Sequence, residues 1–432
     1  MKKNFYFKSV ALALVFILGG LLVACGDEAD PGINSPAPVT TPVPGTDTGG
    51  NPTVAANAVT KLDWFELRPA AAANWTLTPD PQDKFHLTLT AKDPSRFEGS
   101  EKKIMMLYTK AGYSFDDSVN TLVGMFLEKK VRSVFTIVNV NYNPSVAGSG
   151  ELGKAALKYA VDNKFDLIFA MGSDATSFVY DNFRGGPLPV VSVLSKDPVL
   201  LGQVKDYQSG SGTNIAYTSV GVPIDLQVTY FLELKPELKN ISIMYEKTNR
   251  SAIETQVEPL RKYATERHIT VSDVVVNDPK QAPQELTVKV PEAVAKLKES
   301  DPDLQNSIFL ITGSTSVITA IDTINKWSDK VPVISVYPEL VQEGDSSAVL
   351  SIGVSWDTAT HLAGLYALDI LAGRARAGDL KVGVITPPDL AINFKKARQV
   401  GLKIPFSFFE SANFVYDSDG KVVRKAGQTV NR

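Results

Sequence analysis

The sequence predicts an α/β protein of two Rossmann-like lobes, each with a parallel sheet, joined by a hinge. Three observations carry that expectation. Short apolar runs alternate with amphipathic helical stretches from about residue 101 onward. The alternation falls into two series of similar size. The chain has 432 residues, 44% of them hydrophobic, which suits more than one core.

In the first series, residues 104–108 read as a strand, and Val119, Leu122, Val123, Phe126 and Leu127 recur at helical spacing after it. Ser114 with Asp117 suits the helix start, because a hydroxyl accepts a free amide and a carboxylate opposes the positive helix end. Strands over 134–140, 165–171 and 189–193 alternate with helices over 152–161 and 176–183. In the second series the predicted helices are 224–234, 253–268, 288–298, 317–327 and about 358–375. Its strands are 241–245, 269–276, 307–312, 331–336 and 348–354. This divides the chain into a first lobe, 101–218 with about 355–380, and a second, 219–354 with about 381–432.

Ahead of the lobes, Lys2, Lys3 and Lys8 precede an apolar run over 10–23. It suits the core of a signal peptide and is short for a membrane span. Residues 1–24 are therefore expected to be a signal peptide. The run ends Leu22-Val23-Ala24-Cys25-Gly26, which resembles the bacterial lipobox, and the resemblance implies lipidation of Cys25 and a lipid-anchored, extracytoplasmic protein of the cell envelope. Residues 25–56, rich in Pro and Gly, read as a semi-flexible spacer. Residues 57–100 form an extension to which the sequence assigns no role, although Phe85, Leu87 and Leu89 alternate with polar residues as a half-buried strand would.

Composition excludes several classes. A formal net charge of −3 offers no basic field for a nucleic acid. One cysteine supports neither an intrachain disulfide nor a zinc-ribbon site. His86, His268 and His361 lack metal-ligand spacing, so no metal is expected. No G-x-S-x-G elbow occurs, and no catalytic constellation is visible. Gly148-Ser149-Gly150-Glu151-Leu152-Gly153-Lys154-Ala155 matches G-x-G-x-x-G and comes close to a P-loop. Ala155 replaces the hydroxyl that such a loop uses on magnesium, and a loop separates the glycines from their strand, so they read as a turn and a helix start.

Open α/β sheets bind ligands beyond the carboxyl ends of their strands, so two facing lobes present strand-end loops to a shared cleft. Gly172, Ser173, Asp174 and Thr176 open a helix after the third strand, and Gly313, Ser314 and Thr315 do so in the second lobe. Their amides and hydroxyls suit an anionic group such as a carboxylate. Tyr113, Tyr245, Tyr337 and Trp356 fall just past predicted strands, where aromatic rings can stack on a ligand.

Three segments carry a family resemblance. FDLIFAMGSDAT at 165–176 resembles a "DLI-A-GT-A" pattern, PVVSVLSKDP at 189–198 an "iPvVf…DPv" pattern, and INFKKARQVGLKIP at 392–405 a closing "iNl-tAk-lGl-iP" pattern. The chain thus resembles, from about 104 to 423, the ABC-transporter solute-binding lipoproteins of the type I periplasmic-binding-protein group, in particular the branch with tryptophan and tyrosine binders. The resemblance implies a monomeric receptor that catalyses no reaction and holds no cofactor. It captures a small solute, an amino acid or similar, in its cleft and delivers it to a membrane permease. Matching positions carry ligand contacts onto Tyr113, Ser114, 172–176, Asp197, Tyr245, 313–315 and Tyr337. The chain departs from the pattern at Ser355, where relatives often carry an acid for a ligand ammonium; Asp174, Glu246 and Asp357 are its candidate replacements. A lipid-anchored sensor and an extracytoplasmic hydrolase are the other functions weighed.

Overall fold

The computed structural model describes residues 60–143 and 146–430. The expected signal peptide, Cys25 and spacer lie outside the described residues. Two large mixed sheets form the scaffold, of seven and nine strands. In the first, the parallel strands run Val131–Asn139, Glu98–Tyr108, Leu167–Met171, Val190–Val193 and Ile215–Ala216 in spatial order. In the second, Thr270–Val276, Asn240–Glu246, Ser307–Ile311, Val333–Ser335 and Leu350–Gly353 are parallel. Asp389–Asn393 then pairs antiparallel with Leu350–Gly353, and three short strands extend that edge.

The first sheet is not purely parallel, as the strand and helix alternation implied. Trp75–Pro79 and His86–Ala91, both from the 57–100 extension, add to its edge antiparallel. Leu87 and Leu89 point inward, as their alternation predicted. The extension also brings Trp64, Phe65, Leu67 and Trp75 into the core, with Trp75 edge-on to Phe97 and Phe135. Its backbone is stitched to the helix Tyr113–Glu128: Glu66 N–H donates to Asp116 (3.2 Å) and Arg68 N–H to Asn120 (2.8 Å). Fully burying each of these large side chains contributes roughly 1.5–3 kcal/mol, so the segment is part of the lobe's core and not a tether.

The chain crosses between the sheets three times. Thr218–Ser219 leads from the first sheet to the helix Ile224–Leu234, and it pairs in parallel with Gly383–Val384, on the return path to the second sheet. The third crossing follows Leu350–Gly353 into the helix Trp356–Leu371, which packs on Tyr113–Glu128 of the first lobe. Two features fix this helix pair. Gly364 admits Met125, whose sulfur would lie 2.6 Å from a Cβ there, and Thr360 donates to Ser118 (2.8 Å).

Helix boundaries depart from periodicity at the second lobe's loops. The helix expected over 253–268 is split into Arg250–Ala252, a π-helical turn Ile253–Val257, and Glu258–Thr265. The one expected over 317–327 is split into Thr315–Ile318 and Ile321–Trp327. Both breaks lie beside the cleft, and at the first a hydrogen bond links the turn to a facing loop. Gln256, inside the π turn, accepts from Gly313 N–H (2.9 Å). In the P-loop-like segment Gly153 has a packing role, since a Cβ there would lie 2.4 Å from the Phe178 ring, while Gly148 serves a turn with φ +78°.

Candidate functional site

The strand-end loops of both sheets converge on one cavity of about 70 Å³. From the first lobe it is lined by Thr109, Lys110, Tyr113, Ser114, Phe115, the 171–174 helix start, Leu194, Lys196 and Val220. From the second come Asn249, Ser251, Gly313, Thr315, Ile318 and Tyr337, with Trp356 at the third crossing. Nine of the thirteen expected ligand residues therefore meet here: Tyr113, Ser114, Gly172, Ser173, Asp174, Gly313, Thr315, Tyr337 and Trp356.

Each is placed by a local cause. Gly172 opens the helix Gly172–Phe183 with φ +86°, a conformation that favours glycine, and the Phe115 ring would lie 2.6 Å from a Cβ there. Ser173 Oγ accepts from Lys196 N–H (2.9 Å), which leaves the hydroxyl proton free to be donated. Asp174, in the first helical turn, pairs with Lys110 at 3.2 Å. Trp356 stands edge-on to Tyr113 (centroids 5.1 Å apart) and tilted against Tyr337 (5.9 Å), so three rings form one side of the cavity. Burial pushes the Tyr113 phenol up to about 12 and the Tyr337 phenol up as well, with Glu339 adding to both, so these rings act as neutral hydroxyls.

Four expected residues lie outside the lining, each for a physical reason. Thr176 Oγ1 donates back to Gly172 C=O (2.8 Å), because the helix begins four residues earlier than periodicity suggested. Asp197 Oδ1 accepts from Val199 and Leu200 N–H (2.8 and 3.1 Å) and Oδ2 from Tyr207, which occupies both oxygens in holding its own loop. Tyr245 lies inside the strand, which continues to Glu246, and its side chain sits beside Asp273 of the neighbouring strand. Ser314 is fully buried, accepting from Glu246 N–H (3.1 Å), Thr312 and Asn249.

At the departure from the family pattern, Ser355 is a helix cap: its Oγ accepts from Thr358 N–H (3.2 Å) and its N–H donates to Asp389 (2.9 Å). Of the three acids that could replace it, Asp174 lines the cavity. Glu246 is engaged by Ser316 (3.0 Å) and Thr248 (2.7 Å), and Asp357 by Thr121 (2.9 Å).

Sequence reasoning missed Lys196. It directly precedes Asp197 in the PVVSVLSKDP segment, runs into the cleft, and reaches Ser251 Oγ of the opposite lobe at 3.1 Å. Its chain passes so close to Gly313 that a Cβ there would lie 2.8 Å from Lys196 Cε. Burial pulls its ammonium down to about 8, partly offset by Asp174 and Glu246, while Lys110 adds to the depression. Asn249 was also missed. It ties the wall together, donating to Gly313 C=O (3.0 Å) and accepting from Ala252 N–H (3.1 Å). The signal available for both was position: each lies three residues past the end of a parallel strand.

The arrangement can surround a small molecule with three rings and with hydroxyls, amides and ammonium groups. Three solved structures share the fold. A conserved domain protein of Vibrio cholerae matches at 18% identity and TM-score 0.57, over 74% of this chain and 100% of its own. An ABC domain of Streptococcus pneumonia in complex with L-Trp matches at 21% and 0.56, over 73% and 100%. The open, ligand-free CD0873 of Clostridium difficile, a substrate binding protein with adhesive properties, matches at 18% and 0.52, over 73% and 98%. At these identities the likeness is one of fold, the two-lobed type I periplasmic binding protein architecture. No curated protein sequence matches the chain. Residues 127–415, well over half of the chain, match the family model described as ABC transporter substrate binding protein, and the chain belongs to that family.

Proposed function

We propose that this protein is the lipid-anchored receptor of an ABC importer, and that it captures a small solute of amino-acid size in the cleft between its lobes for delivery to the permease. The convergence of both lobes' strand-end loops on one ring-lined, hydroxyl-rich cavity is the observation that carries this reading. Family membership supports a small-molecule ligand and a permease partner. The relative solved with L-Trp supports an amino acid as the first class to test. The signal peptide, the lipobox-like sequence and the spacer support an extracytoplasmic anchor at Cys25. No helix among the described residues is long and apolar enough to cross a membrane.

Ligand pockets usually enclose about 300–1,000 Å³. The present cavity is much smaller, so a solute enters only when the lobes part along the three crossings. Binding is therefore coupled to lobe motion, and a ligand shifts that motion only by its differential affinity for the two arrangements. Native mass spectrometry of the purified protein, with a thermal-shift screen of amino acids and related solutes, tests the reading. A bound or stabilising ligand is expected, worth about 2.7 kcal/mol at a hundredfold excess over Kd. A screen in which nothing binds, with no co-purified mass, rejects it. Cys25→Ala is expected to leave the protein unprocessed or free of membranes, and membrane retention of a cleaved Cys25→Ala protein rejects the anchor.

A further inference from the structure

The charged groups lining the cavity are two ammonium groups, Lys110 and Lys196, against one carboxylate, Asp174. Asp174 is already held by Lys110 at 3.2 Å. Lys196 is in a different position. Its residue is 7% exposed, no carboxylate lies within ion-pair distance of it among the described residues, and the one acceptor its ammonium has there is Ser251 Oγ at 3.1 Å. An ammonium carries three donors, and a buried charge without a counter-charge costs several kcal/mol. The two donors left over sit in a cavity that also holds the Ser173 hydroxyl proton and the amino end of a twelve-residue helix, the positive end of its dipole. Tyr113, Trp356 and Tyr337 line the same cavity.

The geometry points to Lys196 as the residue that sets the charge of the solute: the cleft takes a carboxylate, held by Lys196 Nζ between Ser173 and Ser251, and the solute needs no ammonium group. This rests on the solute-receptor reading and narrows its ligand class to small carboxylates with a flat or apolar body that the rings can cover. A zwitterionic amino acid meets the same carboxylate site, but its ammonium has to compete with Lys110 for Asp174. Amines of the same skeleton meet only Asp174 and the repulsion of two lysines.

Two skeletons in three charge states test this by calorimetry and thermal shift. They are indole-3-propionate, L-tryptophan and tryptamine, and butyrate, 4-aminobutyrate and butylamine. In any skeleton that binds, the carboxylate is expected to bind at least tenfold tighter than the amine, with the zwitterion between them. Lys196→Met is expected to erase that order, and Lys196→Arg to keep it. Lys196→Met without ligand is expected to melt no lower than the native protein, since it removes an uncompensated buried charge. If it melts lower, the charge series on the native protein decides alone. An amine or a neutral solute that binds as tightly as its carboxylate overturns the inference and leaves the receptor reading standing, as does an unchanged order in a folded Lys196→Met. If no member of either series binds, the inference falls. The receptor reading falls with it only if the wider screen and native mass spectrometry also find no ligand.

Discussion

The two walls of the cleft are built from the same kind of unit and differ in chemistry. The first-lobe wall carries every charged residue that lines the cavity, Lys110, Asp174 and Lys196, on a helix start and two strand-end loops. The second-lobe wall, Asn249, Ser251, Gly313, Thr315 and Tyr337, is neutral. Its side chains are tied to one another, as Asn249 is to Gly313 and Ser314, and Ser251 to Asn249 (3.0 Å). The difference suggests a division of labour: the first wall sets which charge is accepted, and the second sets how far the lobes close. Lys196 spans the two by reaching Ser251.

The largest expected effect tests the closing wall. Gly313→Leu puts atoms where Tyr337 Oη and Lys196 Cε already lie within 2.6 and 2.8 Å of a Cβ. It is expected to abolish solute binding and to enlarge the molecule in small-angle scattering, because parting the lobes relieves the clash with Lys196, and to lower the melting temperature, because the clash with Tyr337 lies within one lobe. If Gly313→Leu binds solute normally, the second wall does not limit closure.

Next in size is Gly172→Ala on the charged wall. It forces a side chain into a left-handed backbone, at roughly 1–2 kcal/mol, and against the Phe115 ring, where overpacking adds about 1–3 kcal/mol. Chemical denaturation is expected to show the loss of stability, accompanied by weaker binding. Unchanged stability would mean that the helix start can rotate freely.

The pH dependence sharpens the contrast further. Lys196, faced by Asp174, Lys110 and Glu246, has its ammonium pulled down to about 8 by burial. Affinity for a carboxylate is therefore expected to be highest below pH 8 and to fall as the pH rises through it, by up to about tenfold per pH unit. Calorimetry across that range checks it, and Lys196→Arg should remove the dependence.

Stability has a separate pH term behind the first wall. Burial raises the Asp116 carboxyl from 3.8 to about 7. A group that holds its proton more tightly when folded contributes fully below its unfolded value, and that contribution is lost as the pH rises through its folded value. Stability is thus expected to fall between about pH 4 and pH 7 and to do so less in Asp116→Asn, as thermal melts across that window would show.

The smallest effect is the control. Tyr245→Phe should leave affinity unchanged, because that ring faces Arg261 and Asp273 and not the cleft. A measurable loss of binding would place Tyr245 on the neutral wall after all.

Periodicity and composition by themselves determined the alternating α/β architecture, the two series of strands and the strand-end position of the candidate site. Tyr113, Gly172, Ser173, Asp174, Gly313, Tyr337 and Trp356 were legible because a parallel sheet delivers its carboxyl-end loops to one edge whatever the details of packing. Tertiary structure decided what local pattern cannot carry. Tyr245 stayed within its strand, on the face beside Asp273 and Arg261, because successive side chains alternate faces. A helix beginning four residues early drew Thr176 into its own turn, and loop amides claimed both oxygens of Asp197 with the help of Tyr207. The 57–100 segment gave its sequence no role until its strands met the edge of a sheet whose other strands lie far along the chain. Lys196 was hidden for the same reason. Its burial, its reach to Ser251 and the lack of a carboxylate beside it arise from two lobes closing on one another, and no short window of sequence contains both walls of a cleft.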